Sequence, residues 1–157
     1  MAKHTIFRSD KMHGTYNAAS LVNILLAEDM DNGCIVKIGD LADGEREAYE
    51  GDKPAVSDAL GELALIAAPE VMYDSRLKDL ADFYNEAGAI VRGYRFHNGD
   101  EFSLTADGFT GSPAVGNVVE VAAAYKLKTA ASATGGSTQI GKIIAKEGDY
   151  YVVRVQG

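Results

Sequence analysis

Asp29-Met-Asp-Asn-Gly33, with Glu28 just ahead of it, is the segment whose residue types come nearest to doing chemistry. Alternating acids leading to a glycine are how a calcium-binding loop begins. The pattern then breaks: its twelfth position is Asp40 where a bidentate Glu is needed, and residues 34–38 read as strand. Asp40, Asp43 and Glu45 form a second acidic group that could bind a cation or work as an acid–base pair, and an enzyme would be expected to show a cleft with perturbed acids such as among Asp100, Glu101 and Asp107. Thr134-Gly-Gly-Ser-Thr138 could cradle an anion with its backbone N–H groups, but no helix or lysine follows it. His4 and His13 lie near the start of the chain and His97 in a turn, and no histidine or cysteine pair has the spacing of a zinc site. Cys34 has no cysteine to bridge to and reads as a small buried apolar side chain. No nucleophile-elbow or phosphate-loop motif occurs. The residues nominate no catalytic group, metal ligand or cofactor site, and the chain reads as a binding or structural protein and not as an enzyme.

The elements that would hold these residues are mostly strands. Residues 21–27 and 34–38 are apolar runs separated by the turn Asp31-Asn32-Gly33. Residues 39–51 are acidic and turn-rich and read as a surface loop. Residues 63–71 form an apolar run that Pro69 must end or confine to an edge. Leu77, Leu80, Ala81 and Tyr84 fall on one helical face, so one short α-helix is expected over about 75–87, capped by Asp74 or Ser75 and ended by Gly88. Residues 89–96 and 101–106 flank Asn98-Gly99, a hairpin signal, with Phe102, Leu104 and Ala106 on one face of the return strand. Residues 117–121 and 125–129 are strands, 130–137 a flexible loop, and 140–146 with 150–155 a hairpin around Gly148. The expected fold is mainly β: a compact β-barrel or β-sandwich-like domain over 21–157 behind an extended N-terminal arm over 1–20.

Composition narrows the partners. With 157 residues, one domain can bury a core without disulfides. No apolar run approaches the ~20 residues of a membrane span, no signal-peptide core follows Met1, and a single cysteine suits a reducing cytoplasm. The net charge of −8 disfavours nucleic acid as a partner. The arm is locally basic through Lys3, Arg8 and Lys11, and its apolar anchors are Ile6, Phe7 and Tyr16. Ordering twenty residues costs about 20–40 kcal/mol of backbone entropy, so these anchors need help from backbone pairing with a neighbouring sheet edge.

Four segments carry a resemblance to a known family. They are Leu80-Ala-Asp-Phe-Tyr-Asn-Glu-Ala-Gly-Ala-Ile-Val-Arg-Gly-Tyr94, Asn98-Gly-Asp-Glu-Phe-Ser-Leu-Thr105, Val115-Gly-Asn-Val-Val-Glu-Val121, and Ile140-Gly-Lys-Ile-Ile-Ala-Lys-Glu-Gly-Asp-Tyr-Tyr-Val-Val-Arg-Val155. Together they resemble the head decoration, or cement, proteins of tailed bacteriophages over roughly residues 75–157, as a pattern and not a single diagnostic motif. The resemblance implies a virion protein on the capsid exterior, assembled in the host cytoplasm, that binds the major capsid protein and stabilises contacts between its subunits. It implies a homo-oligomer, a trimer being favoured, with no cofactor, nucleic acid or membrane. The arm residues Ile6, Phe7, Arg8, Lys11 and Tyr16 would then contact the capsid or a sister subunit. The alternatives are another virion component (tail tube, connector or fibre base) and a cytoplasmic ligand-binding β-barrel with an apolar pocket.

Overall fold

The computed structural model describes residues 5–11, 21–44, 47–68 and 84–156. These form strands β1 (Phe7–Lys11), β2 (Leu21–Leu26), β3 (Ile35–Leu41), β4 (Ala48–Asp52), β5 (Leu63–Ile66), β6 (Ile90–Arg95), β7 (Glu101–Thr105), β8 (Phe109–Thr110), β9 (Val118–Val121), β10 (Leu127–Ala130), β11 (Gln139–Glu147) and β12 (Tyr150–Val155). The fold is mainly β, as the alternating and β-branched runs require. Strands β2-β4-β3-β5-β6 close into a five-stranded barrel, and β1-β7-β12-β11-β9-β10-β8 make a seven-stranded sheet. Pairing is antiparallel except between β2 and β4 and between β8 and β10.

Side-chain alternation along the barrel strands builds two cores. On β3, Val36 points into the barrel while Ile35 points at the large sheet; on β5, Ala64 and Ile66 point inward while Leu63 and Leu65 point at the sheet. These strands are covered on both faces, which is why their sequences read as unbroken apolar runs. Val22, Ile24, Leu26 and Val91 complete the barrel interior. Phe102, Leu104, Val119, Leu127, Ile143 and Val153 line the sheet's inner face and share a core with Tyr94 and Phe96 of the barrel side. The backbone N–H of Ile35 also donates to the carbonyl of Tyr125 at 2.7 Å, so barrel and sheet are joined by main chain as well as packing.

Two expectations change, and a third falls largely outside the described residues. The acidic segment 39–51 is not all loop: β3 continues to Leu41, and β4 begins at Ala48 and lies between β2 and β3. Ala48 and Gly51 face inward there, while Glu50 and Asp52 are exposed. A Cβ on Gly51 would stand 2.6 Å from Ile24 Cγ2, so the glycine that suggested a loop marks a close approach inside the barrel.

Asn98-Gly99 does not close a hairpin either, because β6 pairs with β2 and β5 whereas β7 pairs with β1 and β12. The turn carries the chain from barrel to sheet. Asp100 is buried, and its carboxylate accepts the His97 N–H at 3.1 Å. Gly99 takes a φ of 92° and donates to Val155 O at 3.0 Å, while Val155 N–H donates to Asp100 O at 2.8 Å. The turn is thus docked on the end of β12, which outweighs local hairpin preference.

The helix over 75–87 falls mostly outside the described residues. Its last part, 84–87, has no helical turn: Asn85 bridges Met30 antiparallel, with N–H to carbonyl bonds of 2.8 and 2.9 Å in the two directions.

Candidate functional site: the N-terminal strand on the sheet edge

Of the expected arm, residues 5–11 lie along the chain's own sheet. Strand β1 runs antiparallel to β7, with Phe7 opposite Leu104, Arg8 opposite Ser103, Ser9 opposite Phe102 and Lys11 opposite Glu101; one extra residue bulges between Ser9 and Lys11. Among the described residues it is an edge strand, with β7 as its one neighbour in the sheet. Residues 12–20, and with them Tyr16, lie outside the described residues.

Residues 5–8 each have a definite anchor. Thr5 is buried, and both its N–H (3.1 Å) and its hydroxyl (3.4 Å) donate to Asp31 Oδ2. Ile6 N–H donates to Thr105 Oγ1 at 3.1 Å, and Thr105 N–H donates back to Ile6 O at 3.2 Å. Phe7 is half-buried, its ring 6.1 Å from that of Phe102 and 6.3 Å from that of Tyr94. Arg8 lies on the opposite face. Its guanidinium donates to Glu147 at 2.7 Å and Ser103 Oγ at 3.3 Å, and stands 4.9 Å from the centre of the Tyr150 ring. The alternation of Phe7 inward and Arg8 outward is that of any half-buried strand. It was hidden in the sequence because the run is five residues long and mostly polar.

The residues first weighed for chemistry are largely engaged by the fold. Asp29 Oδ1 accepts the Ala87 N–H at 2.8 Å, and Asp31 holds Thr5. Among the described residues no group of three or more His, Cys, Asp or Glu side chains is placed to hold a metal ion. Thr134, in the small-residue loop, donates its N–H and its hydroxyl, each at 3.0 Å, to the carboxylate of Glu120. Glu120 is fully buried on β9; sequence reading passed over it inside an apolar strand, although its place two residues from Val118 put it on that strand's outer face.

One cleft, of about 380 Å³, opens where barrel and sheet meet, lined by Glu28, Met30, Cys34, Lys53, Tyr125 and Lys126 among others. Lys53 Nζ lies 5.6 Å from the centre of the Tyr125 ring. Burial, reinforced by Asp31, raises the Cys34 thiol pKa to about 11. Burial likewise raises the Tyr125 phenol above its ordinary value, with Glu28 and Asp52 adding to the effect. Both groups therefore stay protonated at neutral pH, and neither is an activated nucleophile.

No protein-family model, curated protein sequence or solved structure matches this chain.

Proposed function

We propose that this chain is a structural virion protein of a tailed bacteriophage, bound to the outside of the capsid and stabilising contacts between major capsid subunits. The observation that carries the reading is the N-terminal strand. Phe7 and Arg8, nominated for contact from sequence, belong to a strand that, among the described residues, is held at the rim of the sheet through a single neighbour, and Ile6, nominated with them, leads directly into it. Full burial of an apolar side chain contributes ~1.5–3 kcal/mol, and the half-buried Phe7 less. The exposed Arg8–Glu147 pair contributes at most about 1 kcal/mol. Main-chain bonds lost from β7 are regained when the strand pairs with another sheet edge, so transfer to a capsid subunit is nearly balanced. Many copies on one shell then supply avidity. The reading carries with it a homo-oligomer on the shell, a trimer being favoured, and needs no cofactor.

The test adds purified protein to expanded, undecorated phage heads. Saturable, stoichiometric binding with a raised head melting temperature is the expected result, and its absence overturns the reading. Deleting residues 2–17 lowers occupancy at least about tenfold. The double variant Arg8→Ala/Lys11→Ala reads the arm's contribution while keeping Phe7 in the core. A second reading, a ligand-binding barrel, is favoured by the cleft beside Tyr125. A small molecule that raises the melting temperature of the wild type but not of Tyr125→Ala would select it.

A further inference from the structure

We propose that the cleft between barrel and sheet takes a small zwitterion, an α-amino acid with an apolar side chain. The proposal rests on the second reading above, that this cleft holds a ligand, and adds the chemical class of that ligand.

Three stretches of chain build the cleft. Residues 28–31, just beyond β2, bring Glu28, Asp29, Met30 and Asp31; Lys53 follows the end of β4; Ala124, Tyr125 and Lys126 come from the β9–β10 connection. Its volume of about 380 Å³ lies at the small end of ligand sites, which run from ~300 to 1,000 Å³. Two of the stretches are fixed by main chain. Met30 exchanges N–H to carbonyl bonds with Asn85 at 2.9 and 2.8 Å, and the Tyr125 carbonyl accepts the Ile35 N–H at 2.7 Å. A site already in place loses less to ordering when it binds.

Three acids and two lysines line the cleft, but they are not equally available. Asp29 accepts the Ala87 N–H, and Asp31 accepts both donors of Thr5. Lys53 lies over the Tyr125 ring. Among the described residues, Glu28 and Lys126 have no hydrogen-bonded or ion-pair partner, and both are exposed. One carboxylate and one ammonium left in this way complement a ligand that carries one of each. The three acids, with Asp52 nearby, disfavour a phosphate or a dicarboxylate, and the two lysines disfavour a simple cation.

The neutral groups fit the same ligand. Burial, with Glu28 and Asp52 adding to it, keeps the Tyr125 phenol protonated, so it offers an O–H donor beside Lys126. Met30 and Cys34 are buried, Ala124 is half-buried, and the Cys34 thiol is uncharged, so the lining offers apolar atoms to a side chain. The ligand ammonium then pairs with Glu28, its carboxylate with Lys126 and the Tyr125 hydroxyl, and its side chain packs on Met30 and Cys34.

Calorimetric titration of the full chain with L-leucine tests this. N-acetyl-L-leucine, which lacks the ammonium, and L-leucinamide, which lacks the carboxylate, are the matched probes. L-leucine is expected to bind, and each probe at least about tenfold more weakly, the worth of one charged hydrogen bond. Glu28→Gln is expected to weaken L-leucine and close its gap over N-acetyl-L-leucine. Lys126→Gln is expected to weaken L-leucine and narrow its gap over L-leucinamide, with Lys53 still present. Both substitutions are at exposed side chains and leave the two cores intact. Failure of L-leucine, L-methionine and L-phenylalanine to bind, probes that bind as tightly as the amino acid, or variants that bind L-leucine like wild type overturns the inference. If a molecule of another class then raises the melting temperature of wild type but not of Tyr125→Ala, the ligand-binding reading stands and only the zwitterion is wrong; if none does, that reading falls too.

Discussion

Replacing Asn32 by alanine should destabilise the fold severely. Asn32 is 1 % exposed and works as a backbone substitute. Its Nδ2 donates to Ala68 O at 2.9 Å, and its Oδ1 accepts Ala68 N–H at 2.9 Å and Asn85 Nδ2 at 3.0 Å. Asn85, also buried, passes the network on to Met30 O at 3.1 Å. Asn32→Ala leaves the two Ala68 main-chain groups without this partner and deprives Asn85 of one acceptor. Each buried group left unpaired costs about 1–3 kcal/mol. Because Asn85 keeps Met30 and Ala68 is half-buried, the sum is about 3–5 kcal/mol. That is a large share of the ~5–15 kcal/mol typical of a domain. At ~2–4 °C per kcal/mol for a chain of this size, the melting temperature should fall by about 6–20 °C. Urea unfolding measures the change, with an unaltered m-value showing that the unfolded state is the same. Asn32→Asp separates the two halves of the amide: it keeps the acceptor but sets a carboxylate oxygen against Ala68 O. A loss under about 1 kcal/mol for Asn32→Ala would mean that these bonds are replaced on mutation, and the reasoning would fall.

Two further outcomes follow from the packing. Burial raises the Cys34 thiol pKa from an ordinary 9.0 to about 11 in the fold, so the folded state favours the protonated form. Its contribution is fully present below pH 9 and is lost as pH rises toward 11, an order-of-magnitude effect of ~2–3 kcal/mol; unfolding of wild type against Cys34→Ala across that window measures it, and parallel curves would refute it. Gly51→Ala places a methyl 2.6 Å from Ile24 Cγ2 and 3.3 Å from Val36 Cγ1 inside the barrel, which should cost about 1–3 kcal/mol in chemical denaturation.

What could be read from the sequence was set by how local each determinant is. The β11–β12 hairpin was legible because two β-branched runs flank a tight turn at Gly148 and pair with each other. The core residues Phe102 and Leu104 were legible from two-residue alternation alone. Strand β4 was not, because its inward residues, Ala48 and Gly51, are small and its outward ones are acids that also suit a loop. The Asn98-Gly99 signal was real as a turn and misleading as a hairpin, since the partners of β6 and β7 lie far away in sequence. At the arm, Ile6, Phe7 and Arg8 were identifiable as anchors, but only the fold reveals that they bind first to Thr105, Tyr94, Phe102 and Glu147 of their own chain.

The seam between β2 and β6 has a consequence for how the molecule is made. It joins Leu21 to Tyr94 and Leu25 to Ile90, partners separated by more than sixty residues of intervening chain. Such long-range pairings form slowly, because loop-closure entropy is spent before any contact is gained. During synthesis β2 leaves the ribosome before β6 and must wait, the main-chain edge that β6 will cover still open, until β6 has been made. Folding should therefore be rate-limited by cylinder closure, and the interval before it is when the nascent chain is most exposed to aggregation.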